Sequence, residues 1–414
     1  MAKNTFLGSN INLVKAHNLQ AILLSFLHNK KISRVELAKQ TSLSTTTITN
    51  LTAELLEEGI IEEEVSDSPA RQQRVGRPRT MLRLIPEARF SIGVHIGIGI
   101  FRVAVTDLRA NFIHNKLSDF ELDSSPEEVM QDIADLIEET ILDSQIDRSK
   151  IIGVGVGASG LVDYDAGVNV LSPRLGWREV PIAQLLQNHI NLPVSVDNNV
   201  RCMALGEAYF GIGKDVSVLA FVYGRIGVGA GFVVNGQVFR GSGAGAGEIG
   251  HTIMLNHNGG VCTCGNVGCL ETLVSERVLI NKAIVLAKQQ PESLLGKYLD
   301  QTDESRTLGL IFEAACEGDD GAKGLITELA TSLGVALSNL VNVLNPELII
   351  LGGMFAQGCD HILPVAEKTM REMAFGGLGE KVRMRVTSFG WRAGVTGAAA
   401  LALMSFFYTN MKDK

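Results

Sequence analysis

Residues 247–271 read GEIGHTIMLNHNGGVCTCGNVGCLE, and the most specific chemistry of the chain is concentrated there. His251 is followed by Cys262, Cys264 and Cys269, three thiols within eight residues, with Gly259-Gly260, Gly265 and Gly268 spaced around them. One imidazole and three thiolates are donors that zinc takes tetrahedrally, and four protein ligands leave no open position for catalysis. A structural Zn2+ on His251, Cys262, Cys264 and Cys269 is therefore expected. Gly265 and Gly268 would turn Cys264 and Cys269 round one ion, and Gly259-Gly260 would return the loop to His251. Reduced free thiols are the alternative for such a cluster. The same stretch carries Glu248 and Glu271, and carboxylates and imidazoles bind free sugars because each takes several hydroxyls. Glu248, His251 and Glu271 are the candidates for that role, with the alternative that both glutamates merely brace the metal ligands.

Working outward, the 414 residues exceed what one hydrophobic core usually serves, so two or three domains are expected. The composition, 46% hydrophobic and 20% charged, is that of a soluble globular chain, and no apolar run reaches the roughly 18 residues of a membrane span. Membrane insertion is not expected. The opening Met-Ala-Lys-Asn-Thr-Phe lacks the basic and apolar regions of a secretory signal, so a cytoplasmic location is expected, nucleoid-associated when on DNA. The three cysteines outside the cluster, Cys202, Cys316 and Cys359, read as buried thiols. The net charge of −8 argues against an indiscriminate nucleic-acid binder, but residues 1–90 hold 12 Lys+Arg against 9 Asp+Glu, leaving 25 against 36 for the rest. Only the N-terminal part has the balance that favours DNA.

That part reads as a winged helix-turn-helix over residues 1–86. Residues 12–29 place Leu13, Val14, Ile22, Leu23, Phe26 and Leu27 at helical spacing. Ser33 precedes Arg34-Val35-Glu36, a capping box that opens a short helix to about Gln40. After the turn Thr41-Ser42-Leu43, Ser44 caps a helix from Thr45 to about Glu58. Its inner stripe is Ile48, Leu51, Leu55 and Leu56, and its outer face is Thr45, Thr46, Thr47, Thr49 and Asn50. Small polar residues there suit a major groove, so Ser44 and these five are the expected base readers. Gly59 stops the helix, and residues 60–65 and 81–85 read as paired strands around a wing. Its tip, RQQRVGRPR over residues 71–79, supplies Arg74, Arg77 and Arg79 for phosphates or a narrow minor groove. Either feature alone would pass as a solvated face; their order makes the module. Double-stranded operator DNA is the expected partner, and half-sites one helical turn apart require a homodimer or homotetramer.

After Pro86 the texture becomes Gly-rich α/β, with strands at residues 90–96, 100–106 and 112–120, a helix at 126–144 and another strand at 151–156. A further strand at 191–197, a hairpin of 219–223 with 230–234, and a Gly-Ala-rich helix from Gly394 suggest two lobes. From about Phe90 to Phe407 the chain resembles the ROK family, which groups bacterial sugar kinases with repressors, and its N-terminal extension resembles the repressor branch. The match is carried by Gly153-Val154-Gly155 through Gly160-Leu161-Val162-Asp163, Asp197-Asn198-Asn199, Gly227 to Gly231, Gly247-Glu248-Ile249-Gly250-His251, the Cys262 to Glu271 loop, and Asn345-Pro346-Glu347 through Leu351-Gly352-Gly353. The resemblance implies an α/β, actin-like (sugar kinase/RNase H-like) two-lobed domain, with residues 87–197 and 392–414 as one lobe and 198–391 as the other. It also matches the family's zinc motif at all four ligands and adds Asn198 and Asn199 to the sugar-binding set.

The resemblance further implies that kinase chemistry has been lost. The family's kinases place an aspartate base where this chain has Asn199, and an amide cannot take the proton of an attacking hydroxyl. Asp197, on a strand-like path, would share the side of Asn199. The phosphate-facing Asp-x-Gly-Gly-Thr turn reads His95-Ile96-Gly97-Ile98-Gly99 here, and Ile226 stands where a threonine is usual. Gly227, Gly229 and Gly231 are kept, which suits a hairpin, and Gly352-Gly353 suits a strand-to-helix turn. The expectation is a non-enzymatic repressor of sugar-utilisation genes, released by a sugar or sugar phosphate bound between the lobes. The alternative is an ATP-dependent ROK sugar kinase fused to a DNA-binding domain. A membrane-transporter subunit is a further candidate partner, with the apolar residues 401–408 as its docking segment.

Overall fold

The computed structural model describes residues 11–65, 80–255, 259–300 and 306–409. The wing tip, and with it Arg74, Arg77 and Arg79, lies outside the described residues.

The N-terminal module follows the local signals closely. Helix Ile11–His28 buries Ile22, Leu23, Phe26 and Leu27. Ser33 caps helix Arg34–Thr41 in a reciprocal capping box with Glu36, satisfying two amides that the first turn otherwise leaves unpaired. Ser42 takes the turn in the left-handed region (φ 58°), and Ser44 caps the recognition helix Thr45–Glu57 by accepting from the Thr47 amide. Strands Ile61–Val65 and Thr80–Leu84 pair antiparallel with Glu63 opposite Leu82, and Ile32–Ser33 pairs on the far side of Thr80–Leu84. Alternation puts Leu82 and Leu84 inward beside Leu37 and Ile48, which closes the module's core.

The whole chain forms two compact units, one of Met1–Ala158, Tyr164–Asp197 and Ala398–Lys414, the other of Ser159–Asp163 and Asn198–Gly397. The first holds a five-stranded sheet in which Phe90–Ile96, Ile100–Asp107 and Phe112–Asp119 form an antiparallel meander, with Ile151–Ala158 parallel to Phe90–Ile96 and Val194–Asn198 beyond it. The second holds Val218–Gly224, Val228–Val234 and Gln237–Phe239 as a meander, with Leu348–Gly353 parallel to Val218–Gly224 and Arg383–Val386 outside it. In both sheets the strands lie in the order third, second, first, fourth, fifth. This repeated topology is that of the actin-like fold, and neither copy can be recognised from composition alone.

Two boundaries differ from the sequence reading. Residues 159–163, expected in the first lobe, pack with the second unit because Asn198, Asn199 and Arg201 hold them there. Residues 392–397 also belong with the second unit, where Gly397 meets the Cys202 backbone so closely that no Cβ fits. The winged module falls in the same compact unit as the first sheet. Helix Asp320–Leu344 is long and apolar enough to span a bilayer by composition, yet Ile326, Leu329, Leu333, Leu337 and Val341 lie in the second unit's core.

The C-terminal helix Ala393–Leu403 runs on into a π-helical turn, Met404–Tyr408. Leu401, Leu403, Met404 and Tyr408 are buried and Phe406 and Phe407 half-buried, so most of residues 401–408 packs into the first unit. Gly155 is what lets this helix approach the sheet, since a Cβ there would collide with the Ala398 carbonyl oxygen. The Tyr408 hydroxyl donates to the Leu108 carbonyl at 2.6 Å, inside the turn between the second and third strands. Asp107 fixes that turn by accepting from the Arg109 and Asn111 amides at 2.8 and 2.9 Å. Arg109 in turn donates to the Phe26 carbonyl in the last turn of the first helix, at 3.1 Å. A cation there complements the helix dipole and satisfies a carbonyl that helix geometry leaves open. The C-terminus, the strand turn and the DNA module are thus joined by named bonds within one unit. Tyr408→Phe, which orphans the buried Leu108 carbonyl, is expected to lower unfolding stability by about 1–3 kcal/mol in urea titration.

Candidate functional site

The metal-ligand cluster is built by turns that only glycine permits. Gly265 and Gly268 have φ of 92° and 77°, and a Cβ on Gly268 would overlap the Leu255 carbonyl oxygen. Gly259 lies against the Gly268 Cα with no room for a side chain. The Cys262 amide donates to the Asn266 carbonyl at 2.8 Å and the Gly265 amide to the Cys262 carbonyl at 3.0 Å, curling the loop round its own thiols. A ring nitrogen of His251 and the Sγ atoms of Cys262, Cys264 and Cys269 all lie within 4.8 Å of one another, so the four can hold a metal ion. The Cys262 Sγ to His251 Nδ1 separation is 3.6 Å and the Cys264 to Cys269 separation 3.7 Å. A tetrahedron with metal–sulfur bonds of about 2.3 Å has S···S edges of about 3.8 Å and slightly shorter N···S edges, so the donor set fits such an ion. The Asn266 amide holds the Cys264 thiol below its ordinary pKa, whereas burial pushes Cys269 up to about 12, so a metal must displace its proton.

Beside this loop the second unit gathers the polar groups expected for a sugar. Leu270 N–H donates to the Thr252 carbonyl at 2.9 Å, which ties the end of the 3-10 turn Ile249–His251 to the residue preceding Glu271. Glu271 is 7% exposed, opens the short helix Glu271–Val274, and accepts the Val228 amide at 3.2 Å. Burial pushes the Glu248 carboxyl above its ordinary pKa; His251 and Arg201 pull it back, and Glu271 raises it. Gly247 and Gly250 lie against the Ala230 and Val228 carbonyls with no space for a Cβ, which seats the Glu248 turn on the hairpin.

Asn198 and Asn199 stand at the start of helix Asn199–Phe210, and much of their hydrogen-bonding capacity is spent on the fold. Asn198 caps the helix, its Oδ1 accepting from the Val200 and Arg201 amides while its Nδ2 donates to the Gly160 carbonyl at 2.9 Å. Asn199 is 8% exposed; its Nδ2 donates to the Ser159 hydroxyl at 3.2 Å and its Oδ1 accepts the Val200 amide at 2.9 Å. Strand Val194–Asn198 ends before Asn199, so Asp197 and Asn199 do not alternate along one strand as the sequence suggested. The other glycines also sort. Gly231 has no room for a side chain against Val200 and Arg201, and Gly353 turns with φ 66°, both structural needs; Gly227 and Gly229 would meet only side-chain atoms, at 3.2 and 3.5 Å. The His95 to Gly99 stretch is a tight hairpin turn, with Gly99 at φ 70° and Gly97 N–H donating to Ile100 O at 2.9 Å.

Arg201 escaped the sequence reading. It is 1% exposed, and its guanidinium donates to the Val162 carbonyl at 2.8 Å and the Ala244 carbonyl at 3.1 Å. A charge that deep is costly without partners, and its two bonds tie the strand Leu161–Asp163 and the stretch at Ala244 to the helix that carries Asn198 and Asn199. The signal was present: one arginine in the otherwise apolar helical run Val200 to Leu205. Cys316, read as buried, is exposed, with its Sγ 3.4 Å from His361 Nε2. Cys202 is buried as expected.

On the DNA module, Thr45, Thr46, Thr49 and Asn50 are exposed on one face and Ser44 is the exposed cap, while Thr47 is partly covered with its hydroxyl 2.9 Å from Ser44 Oγ. Ala53 extends the exposed stripe and was not anticipated. Lys15, Lys31, Arg34 and Arg83 each face a glutamate of this module, Glu54, Glu64, Glu63 and Glu62 respectively.

The sequence pattern described as "ROK family" matches residues 91–405, and that described as "Winged helix-turn-helix DNA-binding" matches residues 17–62. The chain is 31% identical over 396 residues to a xylose repressor of Caldicellulosiruptor bescii, covering 95% of this chain and 97% of that one. A crystal structure described as a ROK family transcriptional regulator, homologue of the E. coli MLC protein, superposes with a TM-score of 0.81 at 26% identity, covering 96% of this chain and 97% of its own. A ROK family glucokinase from Streptomyces griseus, solved with glucose and AMPPNP, superposes with a TM-score of 0.67 at 28% identity but covers only 75% of this chain, against 98% of its own.

Arg201→Met, which keeps the aliphatic stem and removes both donated bonds, is expected to cost about 2–4 kcal/mol of stability and to speed amide exchange in residues 160–163. Unchanged exchange there would show that the loop is held by other means.

Proposed function

The chain belongs to the ROK family, and on that premise we propose that it is a sugar-responsive transcriptional repressor whose ROK domain binds an effector without phosphorylating it. The observation that carries the reading is Asn199: at the position of the family's catalytic aspartate stands a buried amide engaged with Ser159 and Val200, on a chain that also carries a winged helix-turn-helix. An amide cannot accept the proton of a sugar hydroxyl at neutral pH. The expected coupled-assay result is no sugar-dependent ADP release above an Asp197→Ala control, and turnover above that control would restore the kinase reading.

Glu248, His251 and Glu271 are the proposed sugar contacts, with Asn198 and Asn199 shaping the adjoining helix start. His251 would hold zinc through Nδ1 and offer Nε2 to the sugar, so one residue would serve both sites. Zinc at His251, Cys262, Cys264 and Cys269 would be structural, fixing the turn from which Glu271 projects. D-xylose is the effector to test first, because relatives over nearly the full length are named xylose repressors. Binding would shift a two-state equilibrium and lower affinity for operator DNA, which a homodimer or homotetramer would span in two half-sites.

Arg74, Arg77 and Arg79 of the wing are the proposed phosphate contacts; in support, Lys15, Lys31, Arg34 and Arg83 each already face a glutamate of the module. Arg77→Ala is expected to weaken DNA binding and to reduce the slope of log affinity against log salt by about 1, with sugar affinity unchanged. An unchanged slope would dismiss the wing. Cys264→Ser is expected to lose bound zinc, read by mass spectrometry of metals, together with the sugar-induced thermal shift. A variant that still shifts fully with no metal bound would separate the loop from the sugar site.

A further inference from the structure

The recognition helix carries a more specific message than its polar character. Its exposed stripe is Thr45, Thr46, Thr49, Asn50 and Ala53, and its buried stripe is Ile48, Leu51, Thr52 and Leu55. From Thr45 to Ala53 that stripe holds no arginine or lysine to grip guanine O6 and N7, and no carboxylate to accept from cytosine N4; its first exposed acid is Glu57, the last residue of the helix. Glu54, half-buried beside Ala53, is engaged by Lys15 at 2.8 Å. Arg34, the nearest guanidinium on the preceding helix, is turned to Thr52 Oγ1 at 3.1 Å and Glu63 at 2.7 Å.

The threonines are partly committed as well. Thr49 Oγ1 donates its proton to the Thr45 carbonyl at 2.8 Å, Thr47 shares a proton with the Ser44 cap at 2.9 Å, and Thr52 donates to the Ile48 carbonyl at 2.8 Å. A threonine whose hydroxyl proton is spent on its own helix keeps only acceptor capacity at its oxygen and presents its methyl beside it. Thr45 and Thr46 carry hydroxyls, which suit any base, so the group on this stripe with a donor and an acceptor fixed side by side is the Asn50 carboxamide, whose helical neighbours at i−4 and i+3 are Thr46 and Ala53. A carboxamide pairs two-fold with adenine N6 and N7, and methyl groups pack on the C5 methyl of thymine.

We infer that Asn50 is the specificity-determining residue of this helix, reading one adenine in each operator half-site, and that Thr49 and Ala53 rest on thymine methyls beside it. The inference rests on the proposed operator binding. It selects adenine over guanine by complementarity, because guanine presents two acceptors where adenine presents a donor and an acceptor.

The test is selection of double-stranded DNA from a randomised pool by the full-length chain, wild type and Asn50→Ala in parallel. Wild-type sites are expected to share one adenine per half-site that Asn50→Ala ceases to select while the other enriched positions persist. On the wild-type consensus duplex, 7-deazaadenine at that base removes the N7 acceptor and should weaken wild-type binding about fivefold or more, leaving Asn50→Ala unaffected. Replacing the flanking thymines by deoxyuracil should weaken both proteins. Selection of the same adenine by Asn50→Ala, or wild-type binding indifferent to 7-deazaadenine, overturns the inference; the second arm does not depend on the variant folding. Failure of the wild-type chain to enrich any sequence overturns the operator-binding reading beneath it.

Discussion

A guanidinium with 1% exposure must take its partners from the protein, and Arg201 takes two of them from stretches distant in sequence. Its two donated bonds draw the Val162 and Ala244 carbonyls onto the first turn of helix Asn199–Phe210, where Asn198 and Asn199 already hold Gly160 and Ser159. Three stretches distant in sequence thereby meet at one helix start. Gly231, without a side chain, lets the hairpin strand lie against the same turn, and Gly247 and Gly250 bring Glu248 against that hairpin. The proposed sugar contacts therefore inherit their positions from a buried charge and three close glycine approaches more than from their own neighbours.

The metal loop supplies the remaining constraint. It links the segment after His251 to Glu271 through the Leu270 to Thr252 hydrogen bond, and its curl depends on Gly265 and Gly268 at φ values that other residues reach only under strain. A structural ion here would do what a disulfide does in secreted domains, fixing a loop too polar and too short to pack for itself. In the DNA module, glutamates on the strand Ile61–Val65 face Lys31, Arg34 and Arg83, so these cations are engaged within the module itself.

Local chemistry was legible in the sequence wherever one residue type dictates one geometry. The Ser33–Glu36 capping box, the Ser44 cap and the His251/Cys262/Cys264/Cys269 cluster fall where spacing put them. The actin-like architecture followed from family resemblance, and the structure expresses it as one strand order used twice. What spacing cannot reveal is long-range closure. Nothing local says that residues 159–163 pack with the second unit, that Arg201 is a buried anchor, or that Asn199 begins a helix and so faces away from Asp197's alternation. Cys316 was misjudged for the same reason: its helix runs through a buried stretch, but its own position is the exposed C-terminal end. The apolar residues 401–408 allowed both docking and packing, and in the structure Leu401, Leu403 and Tyr408 are packed.

The central claim is that one chain couples a sugar site to a DNA reader and does no chemistry on the sugar. The most direct test is fluorescence anisotropy of the full-length, metal-loaded protein on its selected operator, titrated with D-xylose and then with other free and phosphorylated sugars. The account predicts that one of them lowers operator affinity by about tenfold or more at saturation, within the usual range of coupling between sites. Operator affinity unchanged by every sugar and sugar phosphate would contradict it.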